Sequence, residues 1–184
     1  RAFLAVKGQH TAAALAGLAP HLSAGGWLVA LQNGLQEETI AARIGRERTL
    51  GALVNFAADY EAPGRIRLGG RGGLQVGELD GRASARLDEA VALLRHFEPD
   101  ACATDNLAGD KWSKVAFGAL LFATALTEDT MAGQLGDPAY RPVWCAIAGE
   151  VLDTARALGH RPRAFDGFDP AGLDRKSTRL NSSH

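Results

Sequence analysis

The feature that most constrains this chain is an apolar segment, residues 27–31, that ends abruptly on Gln32-Asn33-Gly34. Consecutive apolar residues predict a strand that is buried on both faces, as in a parallel sheet covered by helices. The Asn-Gly pair predicts a turn, and a helix is expected over residues 35–44. Because ligands of open α/β sheets bind beyond the carboxyl ends of the strands, Asn33 is a candidate binding amide as well as a turn residue.

A similar strand and helix precede this segment. Residues 3–6 predict a strand that runs into Lys7, and residues 11–22 predict a helix with Thr11 as its N-cap. Gly45 is the expected C-cap of the following helix. Strands that alternate with helices of this length predict a parallel sheet with right-handed crossovers. The fold class is therefore expected to be α/β.

The middle of the chain is rich in predicted strands, over residues 50–58, 65–68 and 74–78. The glycine-rich residues 69–73 lack the spacing of a phosphate-binding loop, and no helix follows them. A flexible hairpin tip is therefore favoured over a phosphate site. Ser84 is expected to cap a helix whose buried face carries these residues: Leu87, Val91, Leu94 and Phe97.

From residue 106 onward the predicted elements are all helical. Residues 110–126 are almost wholly apolar, which is typical of a helix buried on every side. Residues 140–159 predict a second helix, whose apolar face is expected to carry Val143, Ile147, Val151, Ala155 and Leu158. We therefore expect one domain over residues 1–105 and a second, helical domain over residues 106–173.

Lys114 is the candidate for acid–base chemistry, because it lies in the first turn of the apolar helix. Gly118 and Leu121 follow it at helical spacing, so the lysine shares its face with small or apolar residues. Desolvation lowers the pKa of an ammonium towards the range that is useful for proton transfer. The alternative is a structural lysine whose charged end reaches solvent.

Composition excludes several classes of protein. The hydrophobic fraction is 46%, the charged fraction is 22% and the net charge is -1, which is typical of a soluble globular protein. No basic stripe indicates nucleic-acid binding, and no apolar run has the length of a membrane span. Cys102, Cys145 and the five histidines lack metal-ligand spacing. Reduced cysteines are typical of a cytoplasmic protein.

Both ends of the chain differ from those of a complete natural protein. Residues 174–184 match, codon for codon, one reading frame of a common sequencing-library adapter, and a basic, serine-rich disordered tail is the alternative. The chain begins at Arg1, directly before a predicted strand. We therefore expect a fragment that is truncated at both ends, with an artefactual tail that is excluded from functional reasoning.

Four motifs occur in an order that resembles the ketopantoate reductases (2-dehydropantoate 2-reductases). They are Val6-Lys7 after a strand, Gln32-Asn33-Gly34 after the next, Val76-Gly77-Glu78, and Trp112-Ser113-Lys114 at the start of an apolar helix. The resemblance implies that residues 1–105 are the C-terminal part of a Rossmann-type NADP-binding domain without its glycine-rich turn. It implies that residues 106–173 begin an all-helical domain for substrate binding and dimerisation.

The resemblance also assigns roles to residues. Lys114 is implied as the catalytic residue, Asn33 as a substrate-binding residue, and Lys7, Asn33 and Gly34 as contacts of the cofactor, NADPH. The implied reaction reduces a 2-keto acid to the 2-hydroxy acid by hydride transfer. The implied partner is a small keto acid, a homodimer is left open, and the fragment by itself is expected to be inactive.

Two positions depart from the family pattern, which commonly has asparagines one and two turns beyond the lysine. Here these positions are Gly118 and Phe122. Since a site without such amides discriminates a hydroxyl poorly, the substrate is left open between ketopantoate and another 2-keto acid or ketone. Two other functions also stay open: a β-hydroxyacid or 3-hydroxyacyl dehydrogenase, and a non-catalytic NADP-binding or interaction protein.

Overall fold

The computed structural model describes residues 1–173, which divide into two units, one from Arg1 to Leu107 and the other from Ala108 onward. The expected artefactual tail, residues 174–184, lies outside the described residues. Strands dominate the first unit and helices the second.

The first unit is built on a mixed β-sheet. Its strands are β1 (Ala2–Leu4), β2 (Leu28–Ala30), β3 (Thr49–Val54), β6 (Leu74–Glu78) and β7 (Cys102–Ala103), and a separate ribbon contains β4 (Ala57–Ala62) and β5 (Arg65–Gly70). The order in the sheet is β1-β2-β3-β6-β7. The first three strands are parallel, and β6 runs antiparallel to β3. The predicted α/β class, of Rossmann type, is confirmed.

Helices α1 (Thr11–Leu18), α2 (Glu37–Ile44) and α3 (Ala85–Leu94) connect these strands. Successive residues of β2 point to opposite faces of the sheet, and both faces are covered. Leu28 and Ala30 pack in a cluster with α1 and α2, whereas Val29 packs in a cluster with α3. The strand is therefore buried on both faces, as its unbroken apolar sequence predicts.

The hairpin differs from the prediction. The expected strand over residues 50–58 is interrupted after Val54, and β4 then pairs with β5 across a turn at Gly64, whose φ is 75°. Gly69 and Gly70 belong to β5, so the predicted hairpin tip over residues 69–73 is wrong. The physical reason is that β6 pairs with β3, where Leu74 and Val76 are buried in the core, and not with β5.

The residues at the ends of the helices agree with the predicted caps only in part. Gly45 ends α2 with φ 96°, and Ser84 caps α3 by accepting a hydrogen bond from the backbone N–H of Leu87 at 3.1 Å, as predicted. Thr11, however, is the first residue of α1, and its hydroxyl donates to the carbonyl oxygen of Gly8 at 2.7 Å. Phe97, which was expected on the buried face of α3, lies beyond that helix and is 62% exposed.

The buried Glu78 organises the start of α3. Its carboxylate accepts a hydrogen bond from the Ser84 hydroxyl at 2.5 Å and from Nε of Arg86 at 2.7 Å. This hydrogen bonding and the negative charge of Glu78 raise the pKa of Arg86, although burial opposes the shift. The glutamate of the Val-Gly-Glu motif therefore connects the end of β6 to the next helix.

The second unit contains α4 (Leu107–Thr124) apart from its first residue, α5 (Met131–Gly136) and α6 (Arg141–Ala157). Its core contains Ala116 and Leu120 of α4 and Trp144, Ala148 and Leu152 of α6. The predicted apolar face of α6 is therefore confirmed in part: Ala155 is buried and Ile147 and Val151 pack partly buried against this core, whereas Val143 and Leu158 are exposed. The orientation of α6 about its own axis is fixed by the buried Trp144, whose indole N–H donates to the backbone oxygen of Gln134 at 3.0 Å.

Candidate active site

Lys7, Asn33 and Gly34 lie together at the carboxyl edge of the first two strands. β1 and β2 are parallel neighbours, and the backbone N–H of Leu31 donates to the carbonyl oxygen of Leu4 at 2.9 Å. Lys7 and Asn33 follow these strands and are both exposed. The structure therefore brings together the three residues that the sequence predicted for this edge.

Gly34 makes the turn beyond β2 possible. Its φ is 81°, a left-handed conformation that is strained for residues with a Cβ. The chain turns there and enters α2 at Glu37. The Asn-Gly pair is thus a turn, and the same turn leaves the Asn33 amide exposed at the edge of the sheet.

The buried Gln32 forms hydrogen bonds that connect the ends of β1 and β2 to the start of α1. No role was assigned to it from the sequence. Its side chain is 5% exposed. The side-chain Nε2 donates to the carbonyl oxygen of Val6 at 2.8 Å and to the hydroxyl oxygen of Thr11 at 2.8 Å. A single polar residue at the end of an apolar strand could have indicated this role, because a buried side-chain amide needs hydrogen-bond partners.

Lys114 belongs to the second unit and is half-buried. Because α4 begins at Leu107 and not at residue 110, Lys114 lies beyond its first turn, where the sequence had placed it. Burial lowers the pKa of its ammonium to about 8, and the positive charge of Lys111 acts in the same direction. The negative charge of Asp166 opposes both effects. At neutral pH the side chain is mostly charged, and it is far more easily deprotonated than an ordinary lysine.

The helix surface beyond Lys114 offers little hydrogen bonding. A Cβ added at Gly118, one turn further, would meet nothing within 4 Å. Phe122, two turns further, is 83% exposed, so α4 is not buried on every side as its composition predicted. Neither side chain at these two positions can donate to a hydroxyl or carboxylate.

Charged residues at the start of α4 are buried. Asp110 is 2% exposed and Lys111 is 4% exposed. The Asp110 carboxylate accepts two hydrogen bonds from Arg163, from Nε at 2.8 Å and from Nη2 at 3.0 Å. No sequence signal indicated that Arg163 would pair with Asp110.

Residues 1–173 contain neither a cluster of metal-binding side chains nor a membrane-spanning helix. No group of three or more histidine, cysteine, aspartate or glutamate side chains in this range could hold a metal ion. None of the helices in the same range is both long enough and apolar enough to cross a membrane.

Comparisons with known proteins agree with this architecture. Residues 1–81 match the family model described as ketopantoate reductase PanE/ApbA. A 2-dehydropantoate 2-reductase of Archaeoglobus fulgidus is 26% identical over 160 residues, which are 86% of this chain and 52% of that protein. The crystal structure of 2-dehydropantoate 2-reductase from Geobacter metallireducens matches 93% of this chain and 57% of its own, with a TM-score of 0.80 at 25% identity.

The chain is similar in sequence and in fold to the ketopantoate reductases. It spans about half the length, or less, of the curated relatives that it matches. The residues matched by the family model include Lys7, Asn33 and Gly34 but not Lys114. A D-mandelate dehydrogenase solved with NADH shares the fold, with a TM-score of 0.77 at 17% identity over 87% of this chain and 55% of its own.

Proposed function

We propose that this chain is part of a ketopantoate reductase-like enzyme and contributes to the reduction of a 2-keto acid to the 2-hydroxy acid by NADPH. The single observation that carries the proposal is the half-buried Lys114, whose pKa is lowered to about 8. Such a group is protonated at neutral pH and yields its proton readily, as a general acid must. The similarity of the chain to the ketopantoate reductases supports an oxidoreductase.

In the proposed reaction Lys114 acts on the carbonyl oxygen of the substrate. Negative charge grows on that oxygen as the carbonyl carbon is reduced, and a positioned ammonium stabilises it. The ammonium then donates its proton, so that the product is an alcohol and the lysine is left neutral until solvent reprotonates it. NADPH supplies the hydride when it is bound. Asn33 is proposed to bind substrate oxygens, because an amide can both donate and accept hydrogen bonds.

The residues at the sheet edge fit a nicotinamide nucleotide. Lys7 offers an exposed ammonium for an anionic or polar group, and Asn33 offers an exposed amide on the neighbouring strand. The left-handed backbone at Gly34 carries no Cβ, which leaves room for close approach to the main chain. We propose that these three residues contact the cofactor. NADPH is proposed over NADH from the family resemblance, and a homodimer stays a prediction.

The test uses protein expressed from the complete reading frame that contains these residues. NADPH oxidation is followed by absorbance with a panel of 2-keto acids, in the wild type, in Lys114→Ala and in a control, Arg43→Ala, on the exposed side of α2. Loss of a general acid lowers kcat/KM by about 100-fold or more, and the control is expected to match the wild type. Unchanged turnover in Lys114→Ala would show that the catalytic assignment is wrong.

The same assay distinguishes the other two functions. Turnover of 3-keto substrates in preference to 2-keto acids would indicate a β-hydroxyacid or 3-hydroxyacyl dehydrogenase. Cofactor binding in calorimetry, without turnover on a broad carbonyl panel, would indicate a non-catalytic NADP-binding protein.

A further inference from the structure

The segment that follows α6 returns along the start of α4. The ring of His160 stacks on that of Trp112, with centroids 6.2 Å apart and planes inclined by 27°. Three residues later, Arg163 forms its two hydrogen bonds with the buried Asp110. These two contacts hold the returning segment against the first turns of the helix that carries Lys114.

The next residues form a tight turn, Phe165-Asp166-Gly167-Phe168. The backbone N–H of each phenylalanine donates to the carbonyl oxygen of the other, at 3.0 and 2.7 Å. Asp166 and Gly167 have φ of 41° and 80°. Positive φ at both central residues is typical of a type I′ turn, which favours Asn-Gly and Asp-Gly. Asp166 is therefore held at the tip of a defined turn.

Aromatic packing attaches this turn to α4 beside the lysine. The ring of Phe117 lies 6.1 Å from that of Phe165 and 5.3 Å from that of Phe168, between centroids. Phe117 is three residues beyond Lys114, so the two side chains lie on the same side of the helix. The turn thus carries Asp166 to the turn of α4 that presents the ammonium.

The charged groups near Lys114 affect how readily its ammonium loses a proton. Lys111, on the same helix, disfavours the charged form of Lys114, and burial does so more strongly. Asp166 acts in the opposite direction and raises the pKa of Lys114. Arg163 and Asp110, which also lie at this end of α4, are paired with each other. Asp166 is the anionic group among the described residues that favours the ammonium.

We propose that Asp166 is a positioning residue, whose carboxylate orients the ammonium of Lys114 and keeps it protonated for proton donation. The inference rests on the proposed catalytic role of Lys114. The simpler alternative is that Asp166 serves only to form the turn. The two roles are separable, because Asn-Gly forms a type I′ turn at least as well as Asp-Gly and carries no charge.

The decisive variant is therefore Asp166→Asn, with Asp153→Asn as the matched control. Asp153 is an exposed aspartate of α6 that pairs with Arg156. Competitive labelling of lysine amines across pH 6 to 10, read by mass spectrometry, measures the titration of Lys114 without any need for activity. Circular dichroism verifies that each variant is folded.

We expect Lys114 in Asp166→Asn to titrate about half a pH unit lower than in the wild type, because an opposite charge has been removed. The control is expected to leave the titration unchanged. The alkaline limb of kcat/KM should move to lower pH in the same variant, whereas a purely structural defect would lower kcat/KM equally at all pH values.

The outcomes separate this inference from the proposed function. An unshifted titration of Lys114 in folded Asp166→Asn overturns the positioning role, whatever the activity. A shifted titration in a protein that reduces no 2-keto acid supports the pairing of Asp166 with Lys114 and refutes the proposed reaction.

Discussion

Gln32 donates its side-chain amide to the hydroxyl oxygen of Thr11 at 2.8 Å, and this bond joins the end of β2 to the start of α1. The same nitrogen donates to the carbonyl oxygen of Val6, just before Lys7. One buried amide therefore connects the two strand ends that carry Lys7 and Asn33. The edge of the sheet is held by hydrogen bonds beneath the exposed residues.

Gln32→Leu is expected to lower the free energy of unfolding by about 2 kcal/mol, because two buried hydrogen bonds are lost at about 1 kcal/mol each. Urea denaturation followed by circular dichroism measures the change. Gln9→Leu is the control, since Gln9 is exposed in the short 3-10 helix, Gly8–His10, that precedes α1. Equal stability of the two variants would show that the Gln32 amide does not support the edge.

Glu78→Gln is expected to destabilise the first unit by about 3 kcal/mol, because it breaks a largely buried pair with Arg86. The exposed pair between Asp80 and Arg82 provides the control. Asp80→Asn should cost less than 1 kcal/mol, as is typical of exposed ion pairs. Thermal unfolding compares the variants, and similar losses for both would contradict a structural role for the buried carboxylate.

The lowered pKa of Lys114 predicts a specific dependence of stability on pH. The folded pKa is about 8 and the ordinary value is 10.5, so the unfolded chain binds more protons between these values. The free energy of unfolding contributed by this residue therefore rises as the pH increases from about 8 to 10.5. Below pH 8 the burial of the charge is fully unfavourable.

Lys114→Met should accordingly be more stable than the wild type at pH 7, and the difference should shrink towards pH 10. Denaturant titrations at several pH values measure it. A difference that does not change with pH would indicate that Lys114 keeps an ordinary pKa in the folded protein.

Gly118 and Phe122 predict a preference for substrates with an apolar substituent over hydroxylated ones. Gly118→Asn places an amide one turn beyond Lys114, where an added Cβ meets nothing within 4 Å. One new hydrogen bond changes selectivity by about tenfold, so the ratio of kcat/KM for ketopantoate to that for phenylglyoxylate should rise by this factor. Gly118→Ala is the control, because it adds the Cβ without the amide, and an equal ratio in both variants would exclude a role for hydrogen bonding there.

Much of the sheet edge was predictable from sequence because its determinants are local. An unbroken apolar run predicts that β2 is buried on both faces, and Asn33-Gly34 predicts the turn that ends it. The position of Lys114 in the first half of an apolar helix is likewise predictable from the residues around it. Parallel pairing of β1 and β2 then brings Lys7 and Asn33 to one edge without further information.

Other features depended on contacts between residues distant in sequence. The pairing of β6 with β3, the rotation of α6 set by Trp144, and the return of Asp166 to the start of α4 were not predicted. Periodicity shows which side of a helix is apolar. Where apolar residues occupy two adjacent faces of a helix, however, periodicity does not decide which of the two faces is buried.

The sequence by itself determined most of the longer elements, their order and the polar residues at their ends, because these follow from side-chain periodicity and turn chemistry over a few residues. The tertiary structure decided which strand pairs with which, which face of α6 is buried, and which charges surround Lys114. These depend on packing and electrostatics between segments, such as Asp110 with Arg163, that are far apart along the chain.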